Sequence, residues 1–190
     1  MLYSINGISQ INLHEWSDIH YNDYNSNEFQ KLEIIHSKID IRNIDYKLFN
    51  AAIFYATNLQ RKKYGKKEFI HNVLLEKSAY IHSQDMVKHN FFSHTSPING
   101  KEKMTDRYRY VGINKYGSAA ENICYNYQVS PTYWSFAVEL VNGWMDSPGH
   151  RKNILNSQYI YLGCGVYYYK FEYDKYIYVK STQNFSSNVN

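Results

Sequence analysis

Apolar positions fall in stretches of different period along this chain, and the periods predict most of its elements. Phe49, Ala52, Ile53, Ala56 and Leu59 make a helical stripe from about Asp45 to Tyr64, with Gly65 as a stop and basic residues in the last turn. A second helix is predicted from about Asn72 to Lys88, with Leu75, Ala79, His82 and Met86 on one face. HNFFSHTSPING follows as a loop with turn residues Ser96, Pro97 and Gly100, then a short helix over about Lys101 to Tyr110, ending before Gly112. SAAENICYNY turns from small residues into a strand. Trp134, Ala137, Val138, Val141, Trp144 and Met145 give a helix from about Tyr133 to Met145 a wide apolar face. YIYLGCGVYYYK and KYIYVKSTQNF read as two strands rich in Tyr, Val and Ile, joined by a charged turn. Tyr167 and Tyr169 share one face of the first, with Tyr168 on the other. Helices first and a hairpin last predict an α+β domain with an antiparallel sheet.

Residues 1–43 are polar and weakly periodic, and read as an N-terminal extension or linker arm to a domain over 44–190. Within them LEIIHSKIDI is a short strand or a packing arm. A chain of 190 residues with 44% hydrophobic content suits one folded domain and excludes a disordered one. The net charge of +4 is scattered, which argues against a nucleic-acid partner. The densest basic run, RKKYGKK (Arg61 to Lys67), reads as a solvated helix end. Cys124 and Cys164 are too few for a disulfide scaffold and are expected as free thiols buried in strands. No apolar run of ~18 residues exists to cross a membrane. MLYSINGISQ lacks the basic and apolar regions of a signal peptide. Composition therefore leaves open a cytoplasmic protein or one whose signal has been removed.

The stretch NGWMDSPGHRKNIL carries the first candidate chemistry. Ser147 is an N-cap residue and Pro148 fits the first helical position, so His150 occupies the third position of a new helix. The partial positive charge there disfavours an imidazolium. A neutral imidazole binds metal or accepts a proton. The competing reading is a packed, hydrogen-bonded histidine at a helix start, and local sequence favours it.

GWMDSPGHRKNIL resembles the signature of the CAP superfamily (cysteine-rich secretory proteins, antigen 5 and pathogenesis-related proteins), in its bacterial branch. DMVKHNFFSHTSP resembles the family's first histidine loop, DRYRYVGI the short helix after it, AENI its Glu-Asn motif, and LGCGVYYY and VKSTQNF its closing strands. The motifs occur in the family's order over about residues 45 to 186. The resemblance implies a three-layer α-β-α sandwich with a central antiparallel sheet. It also implies a cleft lined by two histidines and two acids, with His94, His150 and Glu121 mapping onto three of them. The chain departs from the animal and plant pattern at the fourth. Their second Glu lies three residues after the helix Trp, where this chain has Ser147; the nearest acid is Asp146. Glu139 lies five residues before Trp144, ~140° around the helix.

The cleft residues expected are therefore His94, Glu121, His150 and Asp146. The resemblance makes Zn²⁺ a candidate cofactor on His94 and His150, with Glu121 ligating or orienting an imidazole. The alternative is a structural network around a buried carboxylate. Arg107 and Arg151 are expected to tie a loop carbonyl or carboxylate. His82 and His89 read as partly buried or surface residues rather than ligands, and Trp134 and Trp144 as core. No catalytic residue is assigned: Ser147 is explained as a cap, Ser93 has no assigned base, and both cysteines sit in strands. The leading reading is a binding or interaction module, extracellular or at the cell envelope, monomeric, with a small-molecule, lipid or protein ligand. A metal-assisted, peptidase-like hydrolase on the same cleft is the alternative, and a lipid- or sterol-binding carrier is the third.

Overall fold

The computed structural model describes residues 16–171 and 173–190; MLYSINGISQ lies outside them. After a single-turn 3-10 segment at Asp18–Asn22 come α1 (Ser26–Phe29), α2 (Tyr46–Lys63), β1 (Ile70–His71), α3 (Val73–Lys88), α4 (Met104–Tyr110), β2 (Ala119–Val129), α5 (Tyr133–Asp146), α6 (Pro148–Leu155), β3 (Tyr161–Tyr169) and β4 (Tyr176–Ser186). The long helices start where the caps stand. The Asp45 side chain accepts the Leu48 N–H, and Asn72 accepts from Leu74 and Leu75. Gly65, at φ +67°, turns the chain after α2 in the left-handed conformation that glycine tolerates.

The sheet runs β1-β3-β4-β2, antiparallel except for the two-residue parallel pairing of β1 with β3. It forms the middle of an α-β-α sandwich. Leu162, Cys164 and Val166 of β3 point into the main core, with Phe49, Ile53, Phe136, Leu140 and Trp144 of α2 and α5. Gly163 and Gly165 point the other way, against α3. A Cβ at Gly163 would lie 1.9 Å from the Glu76 nitrogen, and one at Gly165 2.1 Å from the Tyr80 nitrogen. Glycine is what lets the α3 backbone sit directly on the strand. The α3 layer is bonded as much as it is packed: the buried Ser83 hydroxyl reaches the Gly165 carbonyl (3.0 Å) and the Thr182 hydroxyl (2.9 Å). Tyr168 packs toward the main core, and Tyr167 lies beside Tyr80 of α3, as strand alternation requires.

Residues 16–43 are laid on this domain. Trp16, Phe29, Ile35 and Ile39 are buried in the main core, and Ile39 donates its N–H to the Pro131 carbonyl at 3.0 Å. The basic run departs from its sequence reading at its first residue. Arg61 is 2% exposed and donates to the Lys67, Ile154 and Asn156 carbonyls, the last two from the end of α6. Free carbonyls at a helix end need donors, and a buried guanidinium supplies several. Both cysteines are free, with Cys164 buried and Cys124 half-buried. Trp144 is buried, whereas Trp134 is only partly covered and lies against Phe29. Among the described residues, no helix is long and apolar enough to cross a membrane.

Candidate functional site

The site is organised by Glu121, near the start of the edge strand β2. Its side chain is 4% exposed, so the carboxylate must be compensated where it sits. Arg107 donates from Nη2 to Oε2 at 2.6 Å, and His94 Nδ1 meets Oε1 at 2.9 Å. Asn184, the cross-strand partner of Glu121, adds its amide at 3.2 Å from Oε2 in the orientation that also satisfies Ser78 and Ala79. Burial on its own raises the Glu121 pKa. The His94 hydrogen bond and the Arg107 charge outweigh it and hold the carboxyl below the ordinary range.

His94 is held through its backbone as well as its ring. Arg107, fully buried, donates to the His94 carbonyl from both terminal nitrogens (3.3 Å) and to the Lys101 and Glu102 carbonyls (3.2 Å). The carboxylate only accepts, so His94 Nδ1 carries the hydrogen and Nε2 is left as the basic nitrogen. The His94 side chain is 55% exposed, so that nitrogen is open to a ligand.

His82 lies beneath this loop and differs most from its sequence reading. It is fully buried; its Nε2 donates to the Ser93 carbonyl at 3.1 Å and stands 3.9 Å from Glu121 Oε1. Burial drives its pKa down to about 4, against the pull of the Glu121 charge, so it is neutral at ordinary pH. Its position on the α3 face shared with Leu75, Ala79 and Met86 is the signal that finds it. His89, by contrast, is exposed at the C-cap of α3.

His150 is brought in by the residue next to Glu121. Successive side chains of a strand face opposite sides. Glu121 turns toward the His94 loop, and Asn122 turns toward α6, where its amide nitrogen donates to the His150 carbonyl at 3.2 Å. Asn153 donates to the Asn122 oxygen at 2.8 Å, and Asn122 also donates to Gln183 at 3.0 Å. One Glu-Asn pair thus fixes both histidine elements from the two faces of β2, and Asn122 is a site residue that sequence reasoning missed. Ser147 stands at the N-cap of α6 with Pro148 after it, but its hydroxyl makes no capping bond; its carbonyl accepts the Arg151 N–H at 2.8 Å. Arg151 ties this corner by donating to the Met145 carbonyl. Burial, and then repulsion from His94, lower the His150 pKa. The fourth expected residue, Asp146, is exposed at the end of α5. Among the described residues, no hydrogen bond or ion pair joins it to the other three, and no three His, Cys, Asp or Glu side chains are grouped as a metal cage.

Residues 54–182 match the model of the cysteine-rich secretory protein (CAP) family, and the chain belongs to that family. It is 41% identical over 109 residues to YkwD of Bacillus subtilis (strain 168), an alignment covering 57% of this chain and 38% of that protein. It is 39% identical over 110 residues to the membrane protein YlbC of the same organism, covering 58% of this chain and 29% of YlbC. The match therefore spans well under half the length of either relative. Among solved structures, an extracellular protein containing an SCP domain from Bacillus anthracis str. Ames superimposes with a TM-score of 0.55 at 33% identity, over 73% of this chain and 40% of that one.

Proposed function

We propose that this chain is a CAP domain that works outside the cell or at its envelope as a binding module, with His94 and His150 as its ligand-facing groups and a divalent metal as an inorganic partner. The extracellular SCP-domain protein and the membrane protein YlbC, both similar in sequence, support that location. The observation that carries the site is the Glu121–His94 pair. A carboxylate held ionised on Nδ1 fixes the tautomer and leaves Nε2 as the nitrogen that faces a ligand. His150, kept neutral beside it, is a second nitrogen in the metal-binding form. Two imidazoles fit an open, weak site rather than a closed structural one. When bound, the metal supplies positive charge and open coordination positions for a ligand oxygen. Among the described residues the candidate nucleophiles are not poised for the hydrolase reading: burial pushes both cysteine thiols well above their ordinary range, and the Ser93 hydroxyl accepts the Thr95 N–H with no histidine or carboxylate bonded to it as a base.

Isothermal titration with Zn²⁺ tests the proposal. Wild type is expected to bind, His94→Ala and His150→Ala to lose binding, and Glu121→Gln to weaken it by about tenfold or more. Binding should weaken as pH falls, because protons compete with the metal for the imidazole nitrogens. Equal binding by wild type and both histidine variants, or none by any, overturns the metal site.

A further inference from the structure

The sheet order leaves β1 and β2 at its edges. β1 is two residues long and β2 eleven, and β2 meets β4 residue for residue without a bulge. Two bonds fix which way the β2 main chain faces. Ser187 donates its N–H to the Ser118 carbonyl at 2.9 Å, on the β2 side of β4, whereas the Ser186 carbonyl accepts the Ile160 N–H at 3.0 Å, on the β3 side. Ala119, opposite Ser186, therefore turns its main chain away from β4. Alternation along the antiparallel ladder turns Glu121, Ile123, Tyr125, Tyr127 and Val129 the same way. Glu121 agrees: its side chain is 4% exposed while the residue as a whole is half-buried, so what it exposes is main chain. Among the described residues, the one bond to these five outward N–H and C=O pairs is local, from the Tyr127 N–H to Asn126 Oδ1 at 2.6 Å.

Exposed edges are ordinarily blunted by lysine, proline or a bulge. AAENICYNYQV has none of these, and its one charge, Glu121, is spent on Arg107. A row of donors and acceptors at strand spacing is matched by an extended peptide main chain. The side chains of the outward residues share the α3 side of the sheet with Glu121. There Tyr125, 60% exposed, meets Phe92 edge-on at 5.3 Å, and Tyr127, 51% exposed, lies 5.4 Å from Tyr178. An added strand would set every second side chain beside these rings. We propose that the β2 edge binds an extended peptide segment of another protein, antiparallel to β2, with aromatic or β-branched residues at alternate positions beside Tyr125 and Tyr127. That direction brings the C-terminal end of the segment to Glu121, where the His94 loop and α6 flank β2 on its two faces. The flanking also favours a peptide over a second copy of this chain. A single strand needs room only in the plane of the sheet, whereas a second copy brings its own layers against both elements. The proposal does not depend on a metal at His94 and His150.

The test is an NMR titration of the ¹⁵N-labelled chain with the synthetic peptide acetyl-Thr-Val-Thr-Tyr-Thr-Val-Thr-Lys amide. In the free chain the amides of Ile123, Tyr125 and Val129 should exchange with solvent faster than those of Asn122, Cys124 and Gln128, which β4 holds. Saturating peptide should shift the outward amides and slow their exchange. Residues of the peptide whose side chains join Tyr125 and Tyr127 also turn their N–H groups to β2. The same peptide N-methylated at its Val and Tyr amides should therefore lose binding, and the one N-methylated at its Thr amides should keep it. Tyr125→Pro removes an outward N–H and a ring while sparing the β4 ladder, and should weaken the parent peptide by about tenfold. The methylated pair decides the question on the wild-type chain if that variant fails to fold. No saturable shift at residues 121–129, or equal binding by the two methylated peptides, overturns the proposal. Concentration-dependent protection of the outward amides without peptide, with a dimer in sedimentation velocity, also overturns it and gives the edge to a second copy.

Discussion

Glu121 and Glu76 are both buried, and each holds a histidine, yet the fold compensates them differently. Glu121 meets a full positive charge, the Arg107 guanidinium at 2.6 Å, together with His94. Glu76 meets the Tyr21 hydroxyl, the Asn50 amide and His71, with no arginine or lysine paired to it among the described residues. A buried carboxylate with a permanently charged partner leans most on that partner, as Glu121 does on Arg107 beside His94 and Asn184; one without an arginine or lysine shares its dependence more evenly among its donors. The difference also sorts their structural roles. Arg107 binds Glu121 and the His94 backbone at once, so it couples the site to the loop that carries it. Tyr21 couples Glu76 to the N-terminal segment, which lies on the domain partly through that bond.

The comparison is sharpest at Arg107. Arg107→Met should remove the charge, leave Glu121 buried, and strip donors from the His94, Lys101 and Glu102 carbonyls. The expected loss is about 3–5 kcal/mol, the range for breaking one side of a buried pair. Urea denaturation of wild type and variant measures it. A loss under about 1 kcal/mol would mean that Glu121 does not lean on Arg107.

Acid should weaken the Glu121 region in two stages. His82 has its pKa lowered from 6.5 to about 4 in the fold, so the unfolded chain takes up a proton first. Stability therefore falls as pH drops from about 6.5 to about 4, by about 3 kcal/mol in total. His150, also lowered, adds to the same trend. The Glu121 contribution is complete above the unfolded carboxyl pKa and is lost only as pH falls through its depressed folded value. His82→Gln, which keeps an N–H donor for the Ser93 carbonyl, should flatten the first stage and leave the second. An unchanged slope between pH 6.5 and 4 in that variant would assign the first stage to other groups.

What the sequence reveals follows from how local each signal is. The α2, α3 and α5 stripes are visible because a helix repeats its buried face every few residues. Ordered motifs give His94, Glu121 and His150. Asn122 was legible in principle, since a strand that turns Glu121 one way turns its neighbour the other. His82 shared a stripe with apolar residues, but its polar side chain suggested a wetter position than the 0% exposure it has. The burial of Trp16, Phe29, Ile35 and Ile39 has no such signal: single turns repeat neither every 2 nor every 3.6 residues. The glycines of LGCGV are likewise explained only once α3 lies on the strand. Arg61 has the same history, because its carbonyl partners at Ile154 and Asn156 lie far along the chain.

The smallest expected effect tests the other carboxylate. Tyr21→Phe removes only the hydroxyl that reaches Glu76 and keeps the ring stacked on His71. Glu76 retains His71 and Asn50, so the loss should be near the usual value of one buried hydrogen bond, about 1 kcal/mol. A denaturation curve gives that number, and the amide spectra of Trp16 to Tyr24 show whether the segment stays seated. A loss of about 3 kcal/mol or more, with those amides released, would make Tyr21 to Glu76 what Arg107 is to Glu121. Shared compensation would then fail as an account of Glu76, because a network of three donors should tolerate the loss of one.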